Sequence, residues 1–228
     1  MTSRPGHNLS ENAGADRSKI RVGMEQIQVE PEHYAWNTYN EQWRWASYWH
    51  QIDEVLRVSP TTCLEVGIGT GDVRAALTAN GVNVTVVDID DRLGVDRAGT
   101  VTALPCKDNE FEVALCCQVL EHLPWEEVDQ ALAELARVSS RRVVVSVPQS
   151  GRTIRLKVEI PVLGGFEFLE RTPGIGPYRF DGQHYWQVGA KGQRRSDVRA
   201  AMAHRFHIES EYMVKGNPYH RFYVMVPR

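Results

Sequence analysis

Three observations predict an α/β protein built on an open sheet of mainly parallel strands, with helices on both faces and an antiparallel C-terminal hairpin strand. Residues 62–147 hold short apolar runs separated by stretches of helical periodicity, the texture of parallel strands covered on both sides. The first run ends in Gly67-Ile68-Gly69-Thr70-Gly71, a glycine turn that leads into a helix. The last two runs, 206–214 and 220–226, are joined by a short turn at Asn217-Pro218, so they must pair antiparallel.

The chain of 228 residues is long enough for one sizeable domain, and its composition is ordinarily globular. A formal net charge of −3 and a pI near 6.2 give no global basic field, which disfavours nucleic acid and anionic membranes as partners. No apolar run has membrane-span length and residues 1–16 lack the pattern of a signal peptide, so a cytoplasmic protein is expected. Cys63, Cys106, Cys116 and Cys117 have neither Cys-x-x-Cys spacing nor a disulfide context. The three in apparent strands read as small hydrophobes.

Residues 1–20 are polar and aperiodic and read as a disordered tail ahead of a single domain at 21–228. From Trp36 the texture changes. Trp36, Tyr39, Trp43, Trp45, Tyr48, Trp49, Ile52, Val55 and Leu56 recur at three- and four-residue intervals, the pattern of one amphipathic helix with an aromatic face. Packing of that face on the sheet is the favoured reading, and the same helix can roof a ligand site.

The strand at 62–66 then meets the glycine corner, where backbone free of Cβ atoms and the N–H groups of a helix start suit a carboxylate, a phosphate or a hydroxyl-rich ligand. A dinucleotide loop would place a third glycine at position 72. Asp72 stands there, an anion that caps a helix and repels a pyrophosphate, and no Gly-Lys-Ser/Thr follows to make a phosphate loop. Residues 83–90 form a β-branched strand ending in acids; Asp88, about twenty residues past the glycines, can accept both hydroxyls of a ribose. Residues 98–101 are a short third strand and 111–117 a fourth. Pro124 starts a helix whose buried face carries Trp125, Val128, Leu132, Leu135 and Val138, and 142–147 is a Val-rich fifth strand. Five such strands with intervening helices define a Rossmann-like open sheet. The pattern breaks at about 148–192, a Gly- and Pro-punctuated insertion with scattered Arg, Lys and aromatics in which 153–160 can form a strand. A short helix follows at 196–204, with Ser196 as its expected cap.

These residues resemble the class I S-adenosylmethionine-dependent methyltransferases, specifically the ubiquinone/menaquinone-type methyltransferase domain. The resemblance rests on Leu64-Glu65-Val66-Gly67-Ile68-Gly69-Thr70-Gly71, Val87-Asp88-Ile89-Asp90, Ala103-Leu104-Pro105 with 108–113, and Val119-Leu120-Glu121-His122-Leu123. Residues 182–189 and 217–222 also resemble a bacterial branch associated with glycan and secondary-metabolite gene neighbourhoods. The resemblance implies S-adenosyl-L-methionine as cofactor, with S-adenosyl-L-homocysteine as product. It implies that Glu65 and the corner glycines Gly67, Gly69 and Gly71 hold the methionine end, that Asp88 takes the ribose hydroxyls, that Ile89 packs on the adenine, and that Thr100 and Val101 meet the adenine edge. Thr100 stands where the family often has an acid. Gln118 replaces a frequent Glu, which removes one fixed negative charge beside the sulfonium.

Methyl transfer from a sulfonium is an in-line displacement in which alignment supplies much of the rate, and a base helps where the acceptor is a hydroxyl. His122, after the fourth strand, and His184, among aromatics of the insertion, are the candidate catalytic residues, as base, orienting donor or structural group. His204, His207 and His220 fall in apparent helix or strand segments, where packing explains them. No paired Asp/Asn cluster suggests a divalent-cation site, so metal independence is expected. The favoured function is methylation of a small-molecule acceptor, a hydroxyl of a sugar or natural product. The alternatives are methylation of protein or RNA, to which the Arg and Lys residues between 152 and 195 leave room, and a non-catalytic S-adenosylmethionine-binding module.

Overall fold

The period-two alternation of the strands sorts the core into two layers. The computed structural model describes residues 21–22, 25–162, 164–172, 174 and 178–228; the expected tail at 1–20 lies outside them. The sheet strands are β1 (Thr62–Val66), β2 (Asn83–Asp88), β3 (Arg97–Ala98), β4 (Phe111–Cys117), β5 (Ser139–Pro148), β8 (Phe206–Val214) and β9 (Asn217–Pro227), and between β5 and β8 lie β6 (Thr153–Ile160) and β7 (Gly164–Arg171). The four longer helices are α1 (Gln42–Leu56), α2 (Asp72–Ala79), α3 (Val128–Val138) and α4 (Arg195–Arg205). Leu64, Val66, Val143, Val145 and Val147 enter one apolar cluster with α3 and α4 residues such as Leu132, Leu135, Val198 and Met202. Cys63, Val144 and Val224 enter the other, with Val55 of α1 and Val73 and Leu77 of α2. Helices therefore cover both faces, as expected from the continuous apolar strands.

The seven-stranded sheet has the order β8-β9-β5-β4-β1-β2-β3. β1, β2, β3, β4 and β5 pair parallel, and β9 pairs antiparallel to both β5 and β8. The final hairpin is thus inserted: its last strand lies inside the sheet and β8 takes the edge. The register pairs Val66 with both Val87 and Cys116, so the loops that begin at Gly67, Ile89 and Gln118 leave the sheet side by side. Such adjacent carboxyl ends are where an open α/β sheet binds ligands.

Three local expectations are corrected. The aromatic segment is two pieces: a short helical turn at Trp36–Tyr39 and α1, separated by extended backbone at Asn40 and Glu41. The buried positions of α1 are Ser47, Gln51, Glu54 and Val55, while Trp36 and Trp49 are 67% and 57% exposed. The helix packs through a polar seam because its partners are polar: Asn217 Nδ2 donates to Ser47 Oγ at 3.1 Å, and the Tyr212 hydroxyl donates to Glu54 Oε1 at 2.9 Å. Ser196 lies within α4, whose N-cap is Arg194; Asp197 Oδ2 accepts from the Arg194 backbone N–H at 3.1 Å.

The expected insertion is two structures. β6 and β7 form an antiparallel arm in which every β6 residue is exposed. Residues 184–190 instead return to the core, where Trp186 and Val188 are buried and Val188 N donates to Pro148 O at 2.9 Å. An arm without a core face contributes little to global stability. Replacing residues 154–170 by an Asn-Gly turn, which Thr153 and Arg171 already flank as a pair, is expected to change unfolding free energy by less than about 1 kcal/mol in urea titrations. A larger loss would show that the arm supports the sheet.

Candidate active site

The three strand ends surround a cavity of about 380 Å³. Its floor is Gly67, Gly69, Asp88, Ile89, Val101 and Gln118, its roof Tyr34, Tyr39, Trp43 and Arg44, and its far wall Glu121, His122, His184, Tyr219 and His220.

The corner turns at Gly67, which has φ +82° and donates its N–H to Val87 O at 2.9 Å. A Cβ there would stand 2.5 Å from Val119 Cγ2, so glycine is required both by conformation and by space. Asp88 ties the corner to β2: its Oδ2 accepts from Ile68 N at 2.9 Å and its Oδ1 from Asp90 N at 3.0 Å. Burial raises the Asp88 carboxyl pKa, and those two backbone bonds oppose the rise. Each carboxylate oxygen keeps a further lone pair for a ligand hydroxyl. Asp72 is the first residue of α2 and not its cap. The N-cap is Gly71, in the left-handed conformation, and Asp72 Oδ2 accepts from Thr70 Oγ1 at 2.7 Å.

Glu65, on the α1/α2 side of β1, lines a small recess that adjoins the cavity at Gly67 and Gly69. Its carboxyl is pushed up to about 8, chiefly by burial, and its Oε2 is buried with no hydrogen-bond partner. The folded value lies above that of the unfolded chain. The contribution of Glu65 to stability is therefore complete below about pH 4.5 and lost as pH rises through about 8.

The cavity gathers most of the residues expected from the sequence. It does not gather Glu65, which lines the adjoining recess, nor Thr100 or Gly71. Thr100 is buried behind the wall with its Oγ1 3.2 Å from Thr102 Oγ1, and Gly99 and Val101 face the space instead. Gly71 acts one step removed, by starting α2.

Gln118 adopts φ +58°, uncommon outside glycine, and its backbone N–H donates to Ser146 O at 2.8 Å. Assigned from its surroundings, its amide nitrogen donates to Glu121 Oε1 at 3.3 Å and His220 Nε2 at 3.2 Å. Glu121 is fully buried, and burial raises its carboxyl to about 8. His122 is lowered to about 4, chiefly by burial and next by His184, whose ring centroid is 5.0 Å away. His184 is lowered by burial.

Asp181 fixes the approach of His184 by accepting from Gln183 N at 2.9 Å and His184 N at 2.8 Å. The Gln183 carbonyl lies 3.1 Å from His122 Nδ1, and Gln28 Oε1 lies 2.7 Å from it. Both partners are acceptors, so Nδ1 carries the proton and Nε2 keeps the lone pair.

A strand position predicts a packing role for His220, yet it lines the cavity with its Nδ1 buried and unpartnered. Burial lowers its pKa to about 3. Strand parity was the available signal, since His220 shares a face of β9 with Phe222 and Val224. Tyr34 and Arg44 were also missed. Arg44 is held over the Tyr39 ring, 3.7 Å from its centroid, and no motif marks such a residue.

Residues 64–145 match the family described as a methyltransferase domain. An uncharacterized methyltransferase of Mycolicibacterium vanbaalenii is 40% identical over an 85-residue alignment that takes in 31% of this chain and 33% of the relative. The match thus spans about a third of that relative's length. Among solved structures, a Burkholderia thailandensis 1,6-didemethyltoxoflavin-N1-methyltransferase with bound 1,6-didemethyltoxoflavin and S-adenosylhomocysteine has a TM-score of 0.54 at 16% identity, over 95% of this chain and 98% of that one. The N-methyltransferase NodS of Bradyrhizobium japonicum, in complex with S-adenosyl-L-homocysteine, has a TM-score of 0.53 at 9% identity, over 84% of this chain and 91% of that one. At such identities the likeness is one of fold.

Proposed function

We propose that the chain, whose residues 64–145 match the methyltransferase domain family, is a class I enzyme that transfers the methyl group of S-adenosyl-L-methionine to a small-molecule acceptor, a hydroxyl of a sugar or natural product. The observation that carries the small-molecule reading is the roofed cavity, with the glycine corner and Asp88 at one end and a wall of Glu121, His122, His184 and His220 at the other.

The residues fit the methyl donor. The orphaned Glu65 Oε2 and the Cβ-free approach at Gly67 suit the ammonium and carboxylate of a methionine, and the spare lone pairs of Asp88 suit ribose hydroxyls. Bound there, the donor supplies an electrophilic methyl group on a positively charged sulfur. The chain's own part is alignment. Ile89 and Val101 offer apolar walls for a base, and neutral imidazoles offer hydrogen bonds to an acceptor hydroxyl. With its value near 4, His122 is a weak base in this state and suits orientation better than proton abstraction.

The macromolecular alternative has less support. Of the basic residues that kept it open, Arg155, Lys157, Arg194 and Arg195 pair with Glu167, Glu159, Asp197 and Glu211, and Arg171 donates to the Ser150 and Gly151 carbonyls. Such pairing reduces the positive surface that a phosphate backbone would need.

Calorimetry with S-adenosyl-L-homocysteine tests the reading. Pairing of the ligand ammonium with Glu65 requires the carboxylate, so binding at pH 7 should release close to one proton, read from the dependence of the heat on buffer. Affinity should rise with pH toward 8, and Glu65→Gln should abolish the release. Failure of the wild-type protein to bind would refute the function. An acceptor screen with labelled donor then identifies the substrate.

A further inference from the structure

We propose that Glu121, His122 and His184 bind one divalent transition-metal ion of zinc's kind, with its remaining coordination positions open to the cavity. One ligand atom from each of the three side chains lies within 4.8 Å of the other two. Donor atoms around a tetrahedral zinc ion stand about 3.3 Å apart, so the set must close by at most about 1.5 Å.

The backbone is already fixed. Glu121 and His122 lie on the short 3-10 turn Leu120–His122 after β4, and the His184 segment is bolted to it by Tyr185 N donating to Glu121 O at 2.8 Å. Two further observations point to a ligand at this place. Glu121 Oε2 is buried without a hydrogen-bond partner, and among the described residues no cation pairs with this fully buried carboxyl. A buried carboxyl with an unpartnered oxygen suits a cation, which it can bind on giving up its proton. His122 also has the arrangement of a metal ligand, with Nδ1–H committed to the Gln183 carbonyl and Nε2 left with its lone pair.

Two imidazoles and a carboxylate, without thiolate, select zinc, manganese or iron(II) over copper(I), and over magnesium and calcium, which want oxygen ligands. The expectation of metal independence rests on the lack of a paired Asp/Asn cluster. This set joins a turn to a loop 62 positions further on. On the methyl-transfer reading, an acceptor hydroxyl bound to the ion loses its proton to solvent. Its oxygen pair then forms the new bond to the methyl carbon, and the broken carbon–sulfur bond leaves its pair on sulfur. Metal binding itself does not depend on that reading.

The test uses full-length, tag-free protein stripped with a chelator and titrated with zinc chloride alone, then with cobalt(II), whose visible absorption reports tetrahedral ligation. The expected result is one ion per chain with micromolar or tighter affinity, weakened at least about 100-fold in both His184→Ala and His122→Gln and unchanged in His204→Ala. Circular dichroism and S-adenosyl-L-homocysteine titration of the metal-free variants check that they fold and test the donor site separately. No saturable binding by the wild type, or binding that survives both variants, overturns the proposal.

Discussion

Asp88→Ala is expected to weaken S-adenosyl-L-homocysteine binding by at least about 100-fold, equivalent to about 2.7 kcal/mol. The carboxylate does two jobs at once. It receives the Ile68 and Asp90 backbone N–H groups, which locks the glycine corner against the end of β2, and on the proposed function its spare lone pairs take the ribose hydroxyls. A hydrogen bond to a charged group contributes about 1.5–3 kcal/mol, so removing the acceptor costs organisation of the corner as well as ligand contact. Asp88→Asn separates the two. One amide oxygen can still hold one backbone N–H, whereas the amide nitrogen repels the other and offers a ribose hydroxyl only N–H donors in place of an acceptor. Calorimetry should therefore rank the affinities wild type, then Asn, then Ala, with the melting temperature falling in the same order. Wild-type affinity in the Ala variant would remove Asp88 from the donor site.

The placement of Asp88 and the glycine corner was legible because both depend on short-range rules. A strand buried on two sides is continuously apolar, a tight turn under a ligand needs glycine, and the next strand's end falls about twenty residues later. The parallel pairing of the first five strands and the antiparallel final hairpin followed from strand–helix alternation and the final short turn, whereas the insertion of the last strand inside the sheet did not. What was not legible depends on partners distant in sequence. The spacing of Trp36 to Leu56 reads as a core stripe only if large apolar residues face the core. Here α1 meets Asn217, Tyr212 and Arg142, so Ser47 and Glu54 are buried and the tryptophans are not. The break at Asn40 has the same origin: its Nδ2 donates to Asp72 Oδ2 at 3.3 Å, a contact across the site that no local pattern records. Thr100 sits one position from the wall it was expected to form, because a strand of two residues gives parity nothing to repeat. The meeting of His122 with His184 needed the loop at 178–193 to fold back on Glu121, and no periodicity encodes that return.

Gly67→Ala should be the most damaging single methyl group that can be added to the floor of the site. Two costs combine, and they can be told apart. The φ of +82° charges any L-residue about 1–2 kcal/mol, and the new Cβ would stand 2.5 Å from Val119 Cγ2, which must move. Together they predict a loss of about 2–4 kcal/mol in unfolding free energy and at least a tenfold loss of donor affinity, since Gly67 lines the cavity where backbone must approach ligand. Val119→Ala in the same chain removes the methyl group that obstructs. The double variant, compared with Val119→Ala alone, should therefore show only the conformational cost, and the difference between the two comparisons measures the clash. If the cost of Gly67→Ala is the same with and without Val119, the clash contributes nothing and the corner is free to shift. If Gly67→Ala is neutral in both backgrounds, the corner does not need glycine there, and the close approach inferred for the donor fails with it.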